Sequence, residues 1–193
     1  MNVPILKLND WLEKERKLGS SNPDRAVLAT AGKDNIPHSR VVAIREINEK
    51  GILFFTQRGT RKVMELQQNP YASMTLWLPL QQREIIVEGG VIELSREVNE
   101  KYWKTLPRDR QLRFAAYAPT STQPIQSIET INDEYHNLLK QFDRRDVPIS
   151  EYYCGFRLFP EYFYFYSLGS DDFSELIKYR FNNDQWTEQL LSP

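Results

Sequence analysis

Hydrophobic residues near the start of the chain recur at helical spacing. Ile5, Leu8 and Leu12 are separated by charged and polar residues, so their side chains share one face of a helix. Gly19 follows the last residues of this pattern, as is typical of a helix C-terminus. The pattern predicts an amphipathic helix over residues 5–18.

The pattern then changes to short apolar runs that are separated by turn residues. Residues 26–31, 39–47 and 51–56 are rich in Ala, Val, Ile, Leu and Phe. The polar stretches GKDN and NEKG separate these runs, as turns separate successive antiparallel strands. The first half of the chain is therefore predicted to contain a β-meander.

The remaining segments alternate between helix and strand patterns. Val63 and Leu66 lie at helical spacing before Asn69-Pro70, where a helix should stop. We expect Gly89-Gly90 to form a bulge or a sharp bend within a strand. The further predicted elements are a helix over 60–68, strands over 71–79, 83–94, 152–167 and 174–190, and helices over 96–116 and 126–145. Because strands dominate, the predicted fold is α+β, an antiparallel barrel with peripheral helices.

Length and composition narrow the class of protein. With 193 residues the chain can bury one substantial core, and we assign residues 1–193 to a single domain. Its 25 basic and 26 acidic side chains create no overall field that would attract nucleic acid or an anionic membrane. No signal-peptide pattern and no apolar stretch of membrane-spanning length occurs. We therefore expect a soluble, cytoplasmic protein.

Histidine and cysteine offer little for catalysis or metal binding. The sequence contains His38, His136 and the single Cys154, which also excludes an internal disulfide. With so few ligands we predict neither a metal site nor a Cys–His nucleophile, and no catalytic residue is assigned. The aromatic run at residues 162–166 is predicted to be a core or dimer strand rather than a platform for nucleic acid, because few basic residues adjoin it.

The stretch FFTQRGTRKV, residues 54–63, carries the strongest chemical signal. Gly59 would allow the chain to turn, and Thr60 stands where an N-cap hydroxyl belongs. Arg61 and Lys62 would lie in the first helical turn, where the helix dipole disfavours cations. A bound phosphate would remove this cost, because backbone N–H groups, a hydroxyl and two cations would all contact it. The alternative is that both cationic side chains point into water.

The chain resembles the pyridoxamine 5'-phosphate oxidase family through four segments in unbroken order. They are SRVVAIREINEKGILFFTQRGTRKVMELQQNPYASMTLWLP, REIIVEGGVIELS, LPRDRQ and GFRLFPEYFYFY. The resemblance runs from about residue 8 to the end of the chain. It implies the FMN-binding split-barrel fold and a homodimer with one FMN in each of two clefts at the subunit interface.

The resemblance also implies a set of cofactor-binding residues. Thr60, Arg61 and Lys62 would hold the FMN phosphate, and Arg40 would contact the flavin or, alternatively, pair with an acid in the barrel. Glu84 and Tyr166 would lie near the flavin in place of a family Gln and Trp. The full predicted cofactor set is Arg40, Val41, Val42, Phe55, Thr56, Thr60, Arg61, Lys62, Glu84 and Tyr166.

The positions that correspond to the family's substrate pocket differ more. Arg45, Tyr102 and Arg110 are the residues that the resemblance implies for binding a substrate phosphate. Three family features are lost, because Leu106 and Leu176 each replace an arginine and an Arg-x-His pair becomes Asp172-Phe-Ser174. The acidic loop that contains this pair puts negative charge where the family presents a cation.

Three functions are compatible with the sequence. In the family, a hydride passes from substrate to FMN and dioxygen then reoxidises the flavin, giving hydrogen peroxide, so the cofactor carries the chemistry. The first hypothesis is an FMN-dependent oxidase of pyridoxamine or pyridoxine 5'-phosphate in vitamin B6 metabolism. The second is a related oxidase of another heterocycle such as a phenazine precursor, and the third is a noncatalytic flavin-binding protein.

Overall fold

The computed structural model describes residues 3–169 and 172–193. The helices are α1 (Val3–Lys17), α2 (Arg61–Gln68), α3 (Arg96–Thr105), α4 (Arg108–Tyr117) and α5 (Ile128–Gln141), with a short 3-10 turn at Ala118–Thr120. The strands are β1 (Arg25–Ala31), β2 (Pro37–Asn48), β3 (Gly51–Gln57), β4 (Tyr71–Leu78), β5 (Arg83–Glu93), β6 (Tyr153–Ser167), β7 (Glu175–Asn182) and β8 (Gln185–Leu191).

The strands form a closed antiparallel barrel. Their order is β3-β2-β1-β4-β5-β6-β7-β8, and an additional pairing of β3 with β6 closes the first six strands into the barrel. Strands β7 and β8 extend the sheet beyond β6 as a hairpin. The predicted α+β class, the antiparallel barrel and its inserted helices are confirmed.

The chain divides into two compact units. One contains the chain up to Phe55 together with Glu65–Ile92 and Phe156–Pro193, and therefore most of the barrel. The other contains Thr56–Met64 and Glu93–Gly155, and therefore α3, α4 and α5. The assignment of residues 1–193 to one domain stays a prediction.

Aromatic side chains fill the core of the first unit. Phe54 is fully buried on β3 and stacks on Phe156 with ring centroids 5.7 Å apart. Phe165 on β6 is also buried and meets the edge of Trp11 from α1 at 5.1 Å. The predicted amphipathic helix thus packs its apolar face on the barrel, which accounts for the spacing of its hydrophobic residues.

The second unit has a smaller aromatic core. The rings of Trp103, Phe114 and Tyr153 meet edge to face at centroid distances of 5.0 to 5.7 Å. The buried indole Nε1 of Trp103 donates a hydrogen bond to the Val147 carbonyl at 3.0 Å. This bond satisfies the one polar group that a buried tryptophan carries.

Two predicted elements are each divided in two. The helix expected over 96–116 breaks after Thr105, because Pro107 has no N–H and holds Leu106 in an extended conformation with ψ 138°. The strand expected over 174–190 is the β7–β8 hairpin, which turns at Asn183 and Asp184. Both residues have positive φ, 48° and 59°, as a tight type I′ turn requires.

The bulge expected at Gly89-Gly90 is absent from the pairing of β5 with β4, and the alternative expectation of a bend stays a prediction. Both glycines pair with β4 in unbroken register, Gly89 opposite Ala72 and Gly90 opposite Tyr71. A Cβ on Gly89 would come within 2.0 Å of the Phe159 carbonyl oxygen on β6. The close approach of two backbones therefore accounts for glycine at position 89.

Candidate functional site

The loop between β3 and α2 has the backbone that its sequence predicts. Gly59 adopts φ +80°, a conformation that L-residues rarely occupy. Thr60 is 1% exposed and directly precedes Arg61, the first residue of α2. Gly59 thus reverses the chain, and Thr60 stands at the N-cap position.

The Thr60 hydroxyl is not used as a conventional cap. It donates a hydrogen bond backwards to the Gln57 carbonyl at 2.8 Å, and it accepts one from Lys62 Nζ at 3.3 Å. The Thr60 carbonyl accepts from the N–H groups of Val63 and Met64. The hydroxyl therefore fixes the loop and positions the lysine ammonium, instead of binding the amides of the first helical turn.

The start of α2 combines the groups that bind a phosphate. Arg61 is exposed and Lys62 is half-buried, and no acidic residue lies in the first turn. The first N–H groups of any α-helix lack intrahelical acceptors and carry partial positive charge. Thr60, Arg61 and Lys62 hence form a cationic helix N-terminus, and these residues fit the phosphate of FMN.

The surroundings of this loop are held by polar contacts within the second unit. Gln57 Nε2 donates to the Tyr117 hydroxyl at 2.9 Å, and Arg58 pairs with Glu93 at 2.5 Å. Cys154 Sγ lies 3.6 Å from the Thr56 carbonyl oxygen. Burial raises the pKa of the Cys154 thiol to about 12, so the thiol is neutral and not a nucleophile.

Arg40 lies in a buried network within the first unit. Its Nη1 donates to Thr30 Oγ1 at 2.5 Å, and its Nη2 lies 3.4 Å from Glu65 Oε2. Glu65 is 7% exposed and also contacts His38, whose Nδ1 lies 2.7 Å from Glu65 Oε1. Arg40 therefore pairs with an acid, but this acid lies on α2 and not on a barrel strand as expected. The contact of Arg40 with flavin stays a prediction.

The other predicted cofactor residues of the first unit differ in exposure. Val42 is buried, whereas its neighbour Val41 is 63% exposed on β2. Phe55 is half-buried on β3, and Glu84 is half-buried on β5 opposite Trp77. Their contacts with FMN stay predictions.

Tyr166 and Leu176 are neighbours across the β6–β7 pairing. The register places them directly opposite each other, and both are half-buried. Tyr166, which is predicted to lie near the flavin, is thus beside Leu176, which replaces an arginine of the family. Arg45 is exposed and coincides with an irregularity of β2, where the register with β3 shifts between Ile44 and Glu46.

Of the predicted substrate residues, Tyr102 on α3 is half-buried and Arg110 on α4 is exposed. Leu106 lines a cavity of about 550 Å³ within the second unit. The charged residues of this cavity are of both signs, namely Glu100, Lys104, Arg108 and Asp146. The cavity has no cationic excess that would replace the charge missing at Leu106.

The acidic loop before β7 is described only in part. Asp172 and Phe173 are exposed, and Ser174 Oγ accepts a hydrogen bond from the Gly169 N–H at 3.3 Å. Asp171, which the sequence places in the same loop, lies outside the described residues. Ser174 therefore serves the conformation of the loop.

Sequence reasoning missed the partners of Arg40. Glu65 follows Val63 on an amphipathic helix and Thr30 lies in an apolar strand, so neither position stands out in the sequence. Their roles depend on tertiary packing and leave no periodic signal.

The described residues were also searched for metal-ligand clusters and for membrane-spanning helices. Within residues 3–169 and 172–193, no three His, Cys, Asp or Glu side chains gather as metal ligands. No helix in the described part of the chain is long and apolar enough to cross a membrane.

Comparison with known proteins identifies one family along most of the chain. The family model for pyridoxamine 5'-phosphate oxidase matches residues 12–131. A pyridoxine/pyridoxamine 5'-phosphate oxidase from Psychromonas ingrahamii is 29% identical over 192 residues, which cover 100% of this chain and 88% of that relative. One from Alteromonas mediterranea is 30% identical and covers 98% of this chain and 89% of its own.

Among solved structures, PhzG from Burkholderia lata in complex with tetrahydrophenazine-1-carboxylic acid superposes with a TM-score of 0.87. Its sequence is 26% identical, and the match covers 98% of this chain and 92% of PhzG. A pyridoxamine 5'-phosphate oxidase-related, FMN-binding protein from Nostoc punctiforme has a TM-score of 0.77 at 17% identity over 97% of this chain and 96% of its own. The latter match supports the fold alone.

Proposed function

Because the chain belongs to the pyridoxamine 5'-phosphate oxidase family, we propose that it is an FMN-dependent oxidase of a small reduced heterocycle. The observation that carries this proposal is the cationic start of α2, where Thr60, Arg61 and Lys62 are assembled without an acidic residue in the first turn. A helix that places two cations at its positive end is stabilised by a bound anion. The phosphate of FMN is the anion that the family implies.

The residues of this chain would hold the cofactor rather than react with it. Lys62, which contacts the buried Thr60 hydroxyl, and the exposed Arg61 would neutralise the phosphate by charge-assisted hydrogen bonds. FMN, when bound, supplies the group that accepts a hydride and passes electrons to dioxygen. The protein contributes binding, orientation and a shaped pocket, so no catalytic side chain is needed.

The first candidate substrate is pyridoxamine or pyridoxine 5'-phosphate. Relatives that carry this name match essentially the whole chain at 29% and 30% identity. Arg45 and Tyr102 remain at positions where the resemblance implies contacts with a substrate phosphate. Arg110 would add a second cation, in place of the one that is lost at Leu106.

A second candidate is a reduced heterocycle without a phosphate, such as a phenazine precursor. The resemblance implies an arginine for the substrate phosphate at position 106, and Leu106 supplies no charge there. PhzG, which matches this chain with a TM-score of 0.87, was solved with tetrahydrophenazine-1-carboxylic acid. Loss of a cation from a pocket favours a less charged substrate.

The assembly proposed for the active protein is a homodimer. Val41 is 63% exposed and lies opposite Val27, 42% exposed, on the adjacent strands β2 and β1. Trp77 on β4 adds an apolar side chain that is 51% exposed. Exposed apolar side chains on neighbouring strands are typical of a surface that another chain covers. Light scattering of the purified protein would contradict the proposal if it gave a monomer mass.

The function is tested by cofactor content and peroxide production. The purified chain is loaded with FMN, and hydrogen peroxide is measured with pyridoxine 5'-phosphate and with a dihydrophenazine carboxylic acid. Peroxide with the former supports the first candidate, and peroxide with the latter alone supports the second. A flavin-loaded protein inert with both would be a noncatalytic flavin protein, and a chain that cannot be loaded with FMN would overturn the proposal.

A further inference from the structure

Glu65 on α2 is a buried carboxylate to which no cofactor or substrate role has been assigned. Its side chain is 9% exposed, and both of its oxygens contact side chains of neighbouring strands. Oε2 accepts a hydrogen bond from Thr30 Oγ1 on β1 at 2.5 Å, and Oε1 lies 2.7 Å from His38 Nδ1 on β2. A buried polar network whose members contact one another in this way holds its side chains in one arrangement.

The guanidinium of Arg40 is the cation that this network holds. Its Nη1 donates to Thr30 Oγ1 at 2.5 Å and to the Leu28 carbonyl at 3.3 Å. Its Nη2 donates to Glu65 Oε2 at 3.4 Å. The Thr30 hydroxyl accepts from Arg40 and donates to Glu65, so it links the two charged groups. Because two different nitrogens are held, the plane of the guanidinium is fixed as well as its position.

Arg40 is held in place and still reaches the surface. Its side chain is 20% exposed, whereas that of Glu65 is 9% exposed. A planar fork of five N–H donors allows one guanidinium to contact protein and ligand together. An arginine that is already oriented loses less side-chain entropy when it binds a ligand than one that is free to rotate. A residue that orients Arg40 therefore affects the affinity for any ligand that Arg40 contacts.

We propose that Glu65 is a positioning residue for FMN, and that it acts by holding the Arg40 guanidinium in the orientation that contacts the cofactor. This inference rests on the proposed function, because it takes FMN as the ligand and Arg40 as one of its contacts. Glu65 contributes acceptor oxygens to Arg40 and Thr30, and it has no direct role at the cofactor.

The role requires an acceptor at position 65 and does not require its negative charge. In Glu65→Gln the amide oxygen can accept from Thr30 and Arg40, while the NH2 group can donate to a ring nitrogen of His38. Glu65→Leu has a side chain of similar size and offers no acceptor. The two substitutions therefore separate the orientation of Arg40 from simple filling of the space.

The test is the dissociation constant of FMN, measured by quenching of its fluorescence. Glu65→Leu should raise this constant by at least about tenfold, and Glu65→Gln should change it by less than about threefold. Urea denaturation without FMN shows whether each variant is folded. If Glu65→Leu does not fold, Thr30→Val keeps the shape of that side chain, removes the linking hydroxyl and should raise the constant by at least about threefold.

A double-mutant cycle with Arg40→Leu separates positioning from a general effect on structure. When Arg40 is already replaced, adding Glu65→Leu should change the dissociation constant by less than about twofold, because Glu65 acts through Arg40. A merely structural role would add its full effect to that of Arg40→Leu. The control is Glu46→Leu, which removes a carboxylate 3.3 Å from Arg157 in the same unit and should change the constant by less than about threefold.

Three results would overturn this inference while the proposed function stands. They are FMN binding by Glu65→Leu that is as tight as that of the unmodified chain or tighter, an equal loss in Glu65→Gln and Glu65→Leu, and an undiminished effect of Glu65→Leu in the Arg40→Leu background. An unmodified chain that binds no FMN would overturn the inference and the proposed function together.

Discussion

Tyr166 on β6 lies directly opposite Leu176 on β7 in the antiparallel register. The resemblance places Tyr166 beside the flavin and implies an arginine at 176 that would help to bind FMN. Leucine at this position can offer neither charge nor a hydrogen bond. We therefore predict that position 176 lies at the flavin site and lacks a cofactor contact that an arginine would make.

We expect Leu176→Arg to strengthen FMN binding. A charge-assisted hydrogen bond contributes about 1.5–3 kcal/mol, so the dissociation constant should fall by at least about tenfold. Quenching of FMN fluorescence measures the change. Leu190→Arg is the control, since Leu190 is 69% exposed on the same hairpin and lies opposite Ile177. If the two variants bound FMN equally tightly, position 176 would not be a specific FMN contact.

The paired replacement Arg61→Ala, Lys62→Ala should weaken FMN binding by more than about tenfold, because two charge-assisted contacts to the phosphate are lost. The matched control is Arg16→Ala, Lys17→Ala, which removes the same Arg-Lys pair from the last turn of α1. Equilibrium dialysis against FMN gives both dissociation constants. If the control loses as much affinity as the α2 variant, nonspecific charge and not the helix N-terminus binds the cofactor.

Much of the barrel could be predicted because strand patterns depend on local sequence. The runs that contain Val41 and Phe54 are apolar and end at turn residues, so β2 and β3 and their antiparallel pairing follow from the sequence. Leu106-Pro107 shows that a clear local signal can also be overlooked, since proline alone explains the break between α3 and α4.

The remaining features depend on residues distant in the sequence. Position 89 has room only for glycine because the Phe159 carbonyl lies against it. The Arg40 guanidinium lies near Glu65 because α2 carries Glu65 next to β2. Neither relationship has a period or a spacing that a sequence could show. Thr60 is intermediate, since its position before α2 was predictable but its hydrogen bond to the Gln57 carbonyl was not.

The two adjacent glycines of β5 allow a matched test of packing. Gly89→Ala should destabilise the protein by at least about 2 kcal/mol, because its Cβ would come within 2.0 Å of the Phe159 carbonyl oxygen. Gly90→Ala should change the free energy of unfolding by less than about 1 kcal/mol, since the nearest atom would lie 3.9 Å away. Urea denaturation measures both, and equal effects would contradict the close approach of β5 and β6.

Glu15 on α1 holds the turn between β4 and β5. Its buried carboxylate accepts hydrogen bonds from the Leu80 N–H and from Gln81 Nε2, both at 3.0 Å. Glu15→Ala leaves these donors without an acceptor and should cost about 2–4 kcal/mol of unfolding free energy. Glu13→Ala, on the exposed face of the same helix, should change stability by less than about 0.5 kcal/mol. A small effect of Glu15→Ala would show that water replaces the carboxylate.

Because the thiol of Cys154 is buried, the free energy of unfolding should depend on pH in the alkaline range. Burial raises its pKa from 9.0 to about 12, so the folded chain keeps the proton that the unfolded chain releases. The stabilisation is complete below pH 9.0 and is lost as the pH rises towards about 12. Relative to Cys154→Ala, the unmodified protein should lose about 2 kcal/mol of unfolding free energy between about pH 8 and about pH 11.

The same burial predicts the reactivity of the thiol. At about pH 8 an aromatic disulfide reagent should leave the folded protein unmodified and react with one thiol after denaturation in urea. Cys154→Ala supplies the blank for both measurements. Rapid labelling of the native chain, together with a pH dependence equal to that of the alanine variant, would show that Cys154 is accessible and ionises as it does in an unfolded chain.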